Sequence, residues 1–82
     1  MDQPLYDEKR FGFQFTVWPT RIEISDGLFT LAKHTTILLR AITDVSRGGI
    51  DRQLRITTQD GSTKKFVLRH PDVAREVIFA LL

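Results

Sequence analysis

Residues 34–49 read HTTILLRAITDVSRGG, and the middle of this stretch fits two kinds of secondary structure. Ile37, Ala41 and Val45 recur every four residues, as they would on one face of a helix. Ile37, Leu39 and Ala41 also alternate with other residues, as they would on one face of a strand. The fold of the whole chain depends on which of the two patterns governs this stretch.

The strand interpretation is the one that the flanking residues favour. A helix would carry threonine and aspartate in its interior and would place Arg40 beside its apolar face. The adjacent pair Ala41 and Ile42 breaks the alternation, which is typical of a bulge or a corner where a strand leaves one sheet for another. The sequence therefore predicts a strand, a corner and a second strand.

The segment FGFQFTVW, which begins at Phe11, has a clear period of two, as a half-buried strand does. The alternation resumes at RIEIS after a Pro-Thr interruption. A turn between the two segments pairs Val17 with Ile22 and Phe15 with Ile24, so that the apolar residues share one face. These segments are predicted to be two antiparallel strands.

The dipeptide Asp-Gly at residues 26–27 is the strongest turn signal in the chain, because a two-residue hairpin needs positive φ at both central positions. Such a hairpin pairs Ile24 with Phe29 and Ile22 with Leu31, which predicts a third strand of the meander. A tight loop at the tripeptide KHT would then lead into the stretch quoted above.

A second hairpin is predicted in QLRITTQDGSTKKFVL. A three-residue DGS loop with Gly61 near the left-handed region places Ile56 opposite Phe66 and Leu54 opposite Leu68.

The last segment is HPDVAREVIFALL, which predicts a helix. Pro71 suits the first turn, and the negative charge of Asp72 is favourable beside the partial positive charge at the N-terminus of a helix. The apolar stripe of this helix comprises Val73, Ala74, Val77, Ile78 and Leu81.

The composition predicts one small domain. The 82 residues are 41% hydrophobic and include eight aromatic side chains, which is enough for one core and argues against disorder. There is no cysteine, so disulfides and thiolate metal sites are excluded.

The sequence shows no signal peptide and no apolar run of about 20 residues, so we expect a cytoplasmic protein. Residues 1–10 are polar and aperiodic and are predicted to be flexible, which leaves 11–82 as the domain.

The strands, corner and final helix resemble the small bacterial pleckstrin-homology-like (PH-like) domains over residues 11–82. In those, a T-[IV]-x-L strand runs into an I-x-x-V segment, and here TILL is followed by ITDV. The resemblance implies a mainly β fold, a barrel of two near-orthogonal antiparallel sheets capped by the helix. It implies a scaffold for interaction or oligomerisation. The long basic loop typical of phosphoinositide-binding relatives is not matched, because TVWPTRI is short and carries only Arg21.

Three residues are candidates for a protein interface: Trp18, Phe79 and Leu82. The alternation places Trp18 outside the core, and exposed tryptophan is enriched at protein contacts. Phe79 falls on the polar side of the predicted helix, with Leu82 close by. The alternative roles are structural, with Trp18 folded over the barrel rim and Phe79 packed on the N-terminal segment.

A second candidate surface is basic. Residues 40–69 contain seven basic and three acidic residues, an excess of four positive charges within a chain whose net charge is +2. The predicted register brings Arg55, Lys65 and Arg69 to one solvent face, where they could receive an anion. The alternative is an ordinary solvated face whose cations discourage edge pairing. No stacking aromatic joins this face, which disfavours nucleic acid, and a peripheral membrane contact has weak support.

No catalytic, metal-binding or cofactor-binding motif is present. The serines lack a plausible His–acid pair, and His34 and His70 have no cysteine or spaced acid with which to share a metal. The sequence therefore predicts a non-catalytic binding module that contacts a protein partner or itself. The alternative function is recognition of an anionic ligand, a lipid headgroup or a nucleic-acid backbone, through the basic sheet face.

Overall fold

A computed structural model of the chain describes residues 3–27, 32–48 and 52–82. They form two antiparallel sheets and one C-terminal helix, which confirms the mainly β fold class. The first sheet contains β1 (Tyr6–Arg10), β2 (Phe13–Val17), β3 (Arg21–Asp26) and β4 (Lys33–Leu38), in that spatial order. The second contains β5 (Ile42–Arg47), β6 (Gln53–Thr58) and β7 (Thr63–Val67), and α1 (Pro71–Leu81) follows. Within the described ranges, no helix is long and apolar enough to cross a membrane.

The stretch with two possible patterns is extended and turns a corner. β4 ends at Leu38, a single 3₁₀ turn covers Leu39–Ala41, and β5 begins at Ile42 in the other sheet. The predicted order of strand, corner and strand is therefore confirmed. The tight loop predicted at residues 33–35 is wrong, because these residues belong to β4 and pair with β3.

The first two predicted strands pair as expected. Phe15 lies opposite Ile24 and Val17 opposite Ile22, which is the predicted register of β2 and β3. The register of β3 with the next strand is different, because Ile24 lies opposite Thr35 rather than Phe29.

The two-residue Asp-Gly hairpin is wrong for a backbone reason. Gly27 has a φ of 110°, and its N–H donates to the Gly12 carbonyl at 2.8 Å, so this turn is tied to the β1–β2 connection. Ile22 consequently lies opposite Ile37 instead of Leu31. The predicted partners at residues 28–31 lie outside the described residues.

The N-terminal segment contributes an edge strand. Residues 1–10 are predicted to be flexible, yet Tyr6–Arg10 forms β1, with Tyr6 opposite Val17 and Glu8 opposite Phe15. The residues of β1 opposite Val17, Phe15 and the partly buried Phe13 of β2 are tyrosine, glutamate and arginine, so the strand has no apolar alternation. A sequence pattern based on hydrophobicity therefore misses it.

The β6–β7 hairpin has the predicted loop length and a shifted register. Thr58 N–H donates to the Ser62 carbonyl at 3.0 Å, so the three loop residues are 59–61, and Gly61 has a φ of 86° as predicted. Leu54 lies opposite Phe66, two residues away from the predicted partner Leu68. A shift of two leaves the faces of both strands unchanged.

The loop of this hairpin is held by Asp60. Its Oδ1 accepts hydrogen bonds from the Thr58 hydroxyl at 2.6 Å and from the Ser62 N–H and hydroxyl at 3.0 and 2.7 Å. These bonds, of which the one from Thr58 has the largest effect, lower the pKa of Asp60 to about 2.

The core lies between the two sheets and the helix. The rings of Phe15, from the first sheet, and Phe66, from the second, have centroids 5.3 Å apart. Ala74 and Ile78 of α1 are buried against this core, whereas Val73 of the predicted stripe is 50% exposed. The buried apolar residues are Phe15, Val17, Ile22, Ile24, Ile37, Leu39, Ile42, Val45, Leu54, Ile56, Leu68, Ala74 and Ile78.

Candidate binding surfaces

Three chain segments meet at one end of the molecule and form an open groove of about 590 Å³, which we call the rim groove. These segments are the β2–β3 turn, the corner between β4 and β5, and the end of α1. The residues that line the groove are Pro19, Thr20, Leu38, Leu39, Arg40, Ile42, Leu81 and Leu82. Leu38 and Leu82 remain 42% and 53% exposed, so large apolar side chains face solvent here.

Hydrogen bonds hold the corner between β4 and β5, which forms one wall of the rim groove, on both of its sides. The Leu39 N–H donates to the Thr20 carbonyl at 3.0 Å, which ties the corner to the β2–β3 turn. Gln59 binds the other side of the corner, because its N–H donates to the Ala41 carbonyl at 2.9 Å and its side-chain amide to the Arg40 carbonyl at 3.2 Å. The groove is therefore preformed at the corner.

Among the residues that line the rim groove, Arg40 is the one with a charged side chain. It is exposed, and the ion pairs found among the described residues involve other arginines: Arg10, Arg21 and Arg47. A cation that borders exposed leucines without an internal counter-ion can attract a carboxylate to the same place that attracts an apolar side chain.

Of the three predicted interface residues, only Leu82 lines the rim groove. Trp18 is half-buried, and its indole N–H donates to Glu23 Oε2 at 3.2 Å on the outer side of the first sheet. The Arg21 guanidinium lies 5.1 Å from the centre of the Trp18 ring and donates to Glu23 Oε1 at 2.8 Å. The Arg21 hydrogen bond lowers the pKa of Glu23. Trp18 is thus partly covered by its own neighbours.

Trp18 also borders a polar groove of about 560 Å³ on the outer face of the first sheet, together with Asp7 and His34. In this groove the Asp7 carboxylate accepts hydrogen bonds from the Thr16 hydroxyl at 2.8 Å and from the Gln14 amide at 3.2 Å. Intramolecular bonds therefore already use several polar groups of this surface.

Phe79 is 42% exposed on α1 and is also partly covered. The Arg75 guanidinium lies 4.5 Å from the centre of its ring, and Arg75 Nε donates to the Val45 carbonyl at 3.2 Å. Phe79 lies three residues before Leu82, on the adjoining turn of the helix. It can therefore extend the apolar surface of the rim groove along α1.

The basic surface is only partly as predicted. Arg55 and Lys65 are direct cross-strand partners in the second sheet, whereas the predicted register, with Ile56 opposite Phe66, would pair Arg55 with Val67. The predicted register would also place Arg69 opposite Gln53, but Val67 occupies that position and β7 ends there. The structure therefore brings Arg55 and Lys65 together and leaves Arg69 in the connection to α1.

Glu8 is the residue that sequence reasoning missed most completely. It is 5% exposed, and its Oε1 accepts hydrogen bonds from the Tyr6 hydroxyl at 2.8 Å and from the Arg69 N–H at 2.7 Å. Burial is the main cause that raises the pKa of Tyr6, and the bond to Glu8 raises it further. These contacts join β1 to the chain after β7, so their role is structural.

The described residues contain no group of three or more histidine, aspartate or glutamate side chains that could hold a metal ion.

In comparisons with known proteins, no family model, curated protein or solved structure matches this chain. Its function must therefore be inferred from the surfaces of the molecule itself.

Proposed function

We propose that this chain is a non-catalytic binding module on a PH-like scaffold, and that it holds a short apolar, acidic segment of a protein partner in the rim groove. The observation that carries the proposal is the combination of exposed Leu38 and Leu82 with Arg40 around a preformed groove. Phe79 would extend the contact along α1.

The strand order supports the PH-like part of the proposal. A four-stranded antiparallel sheet, a corner, a three-stranded antiparallel sheet and a C-terminal helix follow one another in the order that the resemblance implies. We propose that the two sheets form the near-orthogonal barrel of that family, with α1 as its cap. This scaffold leaves the partner to be specified by surface residues.

The charge of the groove favours a different protein over a second copy. In a two-fold symmetric dimer formed through this groove, the same patch of both subunits comes together, so two Arg40 cations would enter one interface without an added acidic residue. An apolar segment that carries aspartate or glutamate supplies this acidic residue. Burial of one leucine side chain contributes about 1.5–3 kcal/mol, whereas an exposed ion pair contributes about 0–1 kcal/mol. The leucines would therefore supply affinity and Arg40 specificity.

A peptide selection tests this proposal even though the partner is unidentified. A random 12-residue peptide library is selected on the wild-type domain and on Arg40→Glu and Leu38→Ser variants. We expect wild-type peptides with two apolar anchors and an acidic residue, and a dissociation constant of about 10–100 µM. Arg40→Glu should enrich lysine or arginine in place of the acid, and Leu38→Ser should abolish enrichment.

The matched control is Lys9→Glu, which makes the same charge change at an exposed residue of β1 that does not line the groove. This variant should select the wild-type consensus. A consensus that ignores both groove substitutions would contradict the proposal. Sedimentation would detect self-association. If the chain forms a dimer that Leu82→Ser disrupts, the occupant of the rim groove is a second copy of the chain and not a different protein.

A further inference from the structure

Arg55 and Lys65, which we call the basic pair, lie opposite each other on neighbouring antiparallel strands. Their pair is of the type in which the two side chains come closest together. The Thr58 N–H donates to the Ser62 carbonyl at one end of the β6–β7 ladder. Hydrogen-bonded pairs then recur at every second residue, and the basic pair falls between two of them. In such a non-hydrogen-bonded pair the Cα atoms are about 4.5 Å apart and the side chains are at their closest.

Polar groups surround the basic pair on the same face of the sheet. Ser46 of β5 lies opposite Arg55, so serine, arginine and lysine form one row across the three strands. The next row contains Thr57 and Thr63, whose hydroxyl oxygens are 3.0 Å apart, and ends in Asp44. Asp44 makes no ion pair with either cation among those found in the described ranges.

Arg55 carries an unmet hydrogen-bonding requirement. Its Nε is enclosed by the protein and has no hydrogen-bond partner among the described residues. Two like charges directly opposite each other on a sheet repel, and an enclosed donor without an acceptor is unfavourable. An anion placed between the two side chains would relieve the repulsion between their charges.

We infer that the basic pair is a binding site for a single phosphate group. A guanidinium donates directed hydrogen bonds to an oxyanion and an ammonium adds a compact charge, so arginine and lysine together suit a tetrahedral oxyanion. Ser46 is in position to add a hydroxyl donor from the third strand. The described part of this face offers valine as its apolar side chain and no aromatic ring on which a nucleobase could stack.

The chemistry is the same for a free phosphate monoester and for the headgroup of phosphatidic acid. Only two cations are aligned, so we expect weak binding of inorganic phosphate, with a dissociation constant of about 1–10 mM. This site is on the second sheet and does not depend on the rim groove. Its failure and that of the proposed function are therefore separable.

Titration with inorganic phosphate, followed by nuclear magnetic resonance at constant ionic strength, tests the site. We expect a saturable shift of the Arg55 side-chain Nε–H signal and of the Ser46 and Lys65 amides. Lys65→Gln should weaken binding at least fivefold, and Arg55→Gln should abolish it. Arg55→Lys, which keeps the charge and loses the directed donors, should also weaken binding.

Lys64→Gln is the matched control, because Lys64 is the adjacent lysine of β7 and has the opposite side-chain direction. It should bind phosphate as the wild type does, and so should Arg40→Glu. Equal loss of phosphate binding in Lys64→Gln and Lys65→Gln would show non-specific attraction and overturn the inference, as would an unchanged Arg55 signal.

Vesicles of phosphatidylcholine with and without phosphatidic acid distinguish a lipid headgroup from a soluble phosphate as the ligand. Binding that requires both phosphatidic acid and Lys65 identifies the lipid, and binding of inorganic phosphate alone identifies a soluble ligand.

Discussion

Glu8 joins two parts of the fold that share no backbone ladder in the described residues. Its carboxylate receives the Tyr6 hydroxyl from its own strand and the Arg69 N–H from the segment after β7. The Arg10 Nε lies 3.2 Å from Glu8 Oε2 as an ion pair, without the alignment of a hydrogen bond. The Arg10 guanidinium also donates to the Val67 carbonyl at 2.7 Å. A buried charge of this kind is tolerated because donors surround it.

Glu8→Ala should lower the free energy of unfolding by about 2–3 kcal/mol. The substitution leaves the Arg69 N–H and the Tyr6 hydroxyl without their acceptor and the Arg10 cation without its counter-ion. Urea denaturation measures the change. Lys9→Ala, at the exposed neighbouring position of β1, should stay within about 0.5 kcal/mol of the wild type. Equal effects of the two substitutions would show that the Glu8 contacts contribute nothing.

Tyr6 should make stability fall at alkaline pH. Burial, followed by the bond to Glu8, raises the pKa of Tyr6 above the value of about 10 in an unfolded chain. The folded state therefore holds the phenolic proton more tightly than the unfolded state does. The stabilisation that the protonated Tyr6 contributes is complete below about pH 10 and is lost as the pH rises further. The chain has one tyrosine, so ultraviolet absorbance of the phenolate reports on it alone.

The control for this pH dependence is Tyr6→Phe, which removes the titrating hydroxyl and keeps the ring next to Phe15. The variant should lose less of its unfolding free energy between about pH 9 and pH 11 than the wild type does. A phenol that ionises near pH 10 in the folded protein would contradict the prediction.

At the scale of elements, alternation specifies which face a residue occupies, and other contacts choose the register. The β3–β4 pairing differs from the prediction by six residues and the β6–β7 pairing by two, and both are even shifts that keep the apolar side chains inside. The β2–β3 register agrees with the prediction because the turn contains only the two residues Pro19 and Thr20, as the sequence indicates. The Asp-Gly signal at residues 26–27 failed because Gly27 bonds to Gly12 from another turn.

The sequence predicts a candidate site only where the face of the strand alone determines it. Arg55 and Lys65 share a face in both the predicted and the observed register, so the basic pair could be anticipated. The position of Arg69 depends on where β7 ends, which the alternation does not specify. The rim groove combines Pro19, Leu38 and Leu82, which are distant in sequence and belong to no motif. Only their three-dimensional arrangement brings them together.

The β6–β7 hairpin gives a test of backbone conformation alone. Gly61 has a φ of 86°, and nothing lies within 4 Å of the position where a Cβ would be added. Gly61→Ala should therefore cost about 1 kcal/mol through strain of the left-handed backbone, without any steric clash. Gly61→Asn should cost less, because asparagine enters this region more readily. Chemical denaturation of both variants measures the difference, and equal losses would point to a cause other than φ.

At the scale of the whole molecule, the two sheets and the helix share one core. Phe15 of the first sheet contacts Phe66 of the second, and Ile78 of α1 is completely buried in the same cluster. Neither sheet could keep its inner face from water if the other unfolded. The chain should therefore unfold in one cooperative transition, as small domains with a single core do.

Two probes at different places can test this cooperativity. Trp18, the single tryptophan, reports on the first sheet by fluorescence, and circular dichroism reports on α1. Their urea transitions should superimpose. Ile78→Val removes one buried methylene from the helix and should shift both midpoints equally, by about 0.5–1.5 kcal/mol of unfolding free energy. Val73→Ala, at a position that is 50% exposed, should move them less. If the Trp18 transition stayed in place while the helix signal moved, the first sheet would be stable without α1, and a single shared core would be the wrong description.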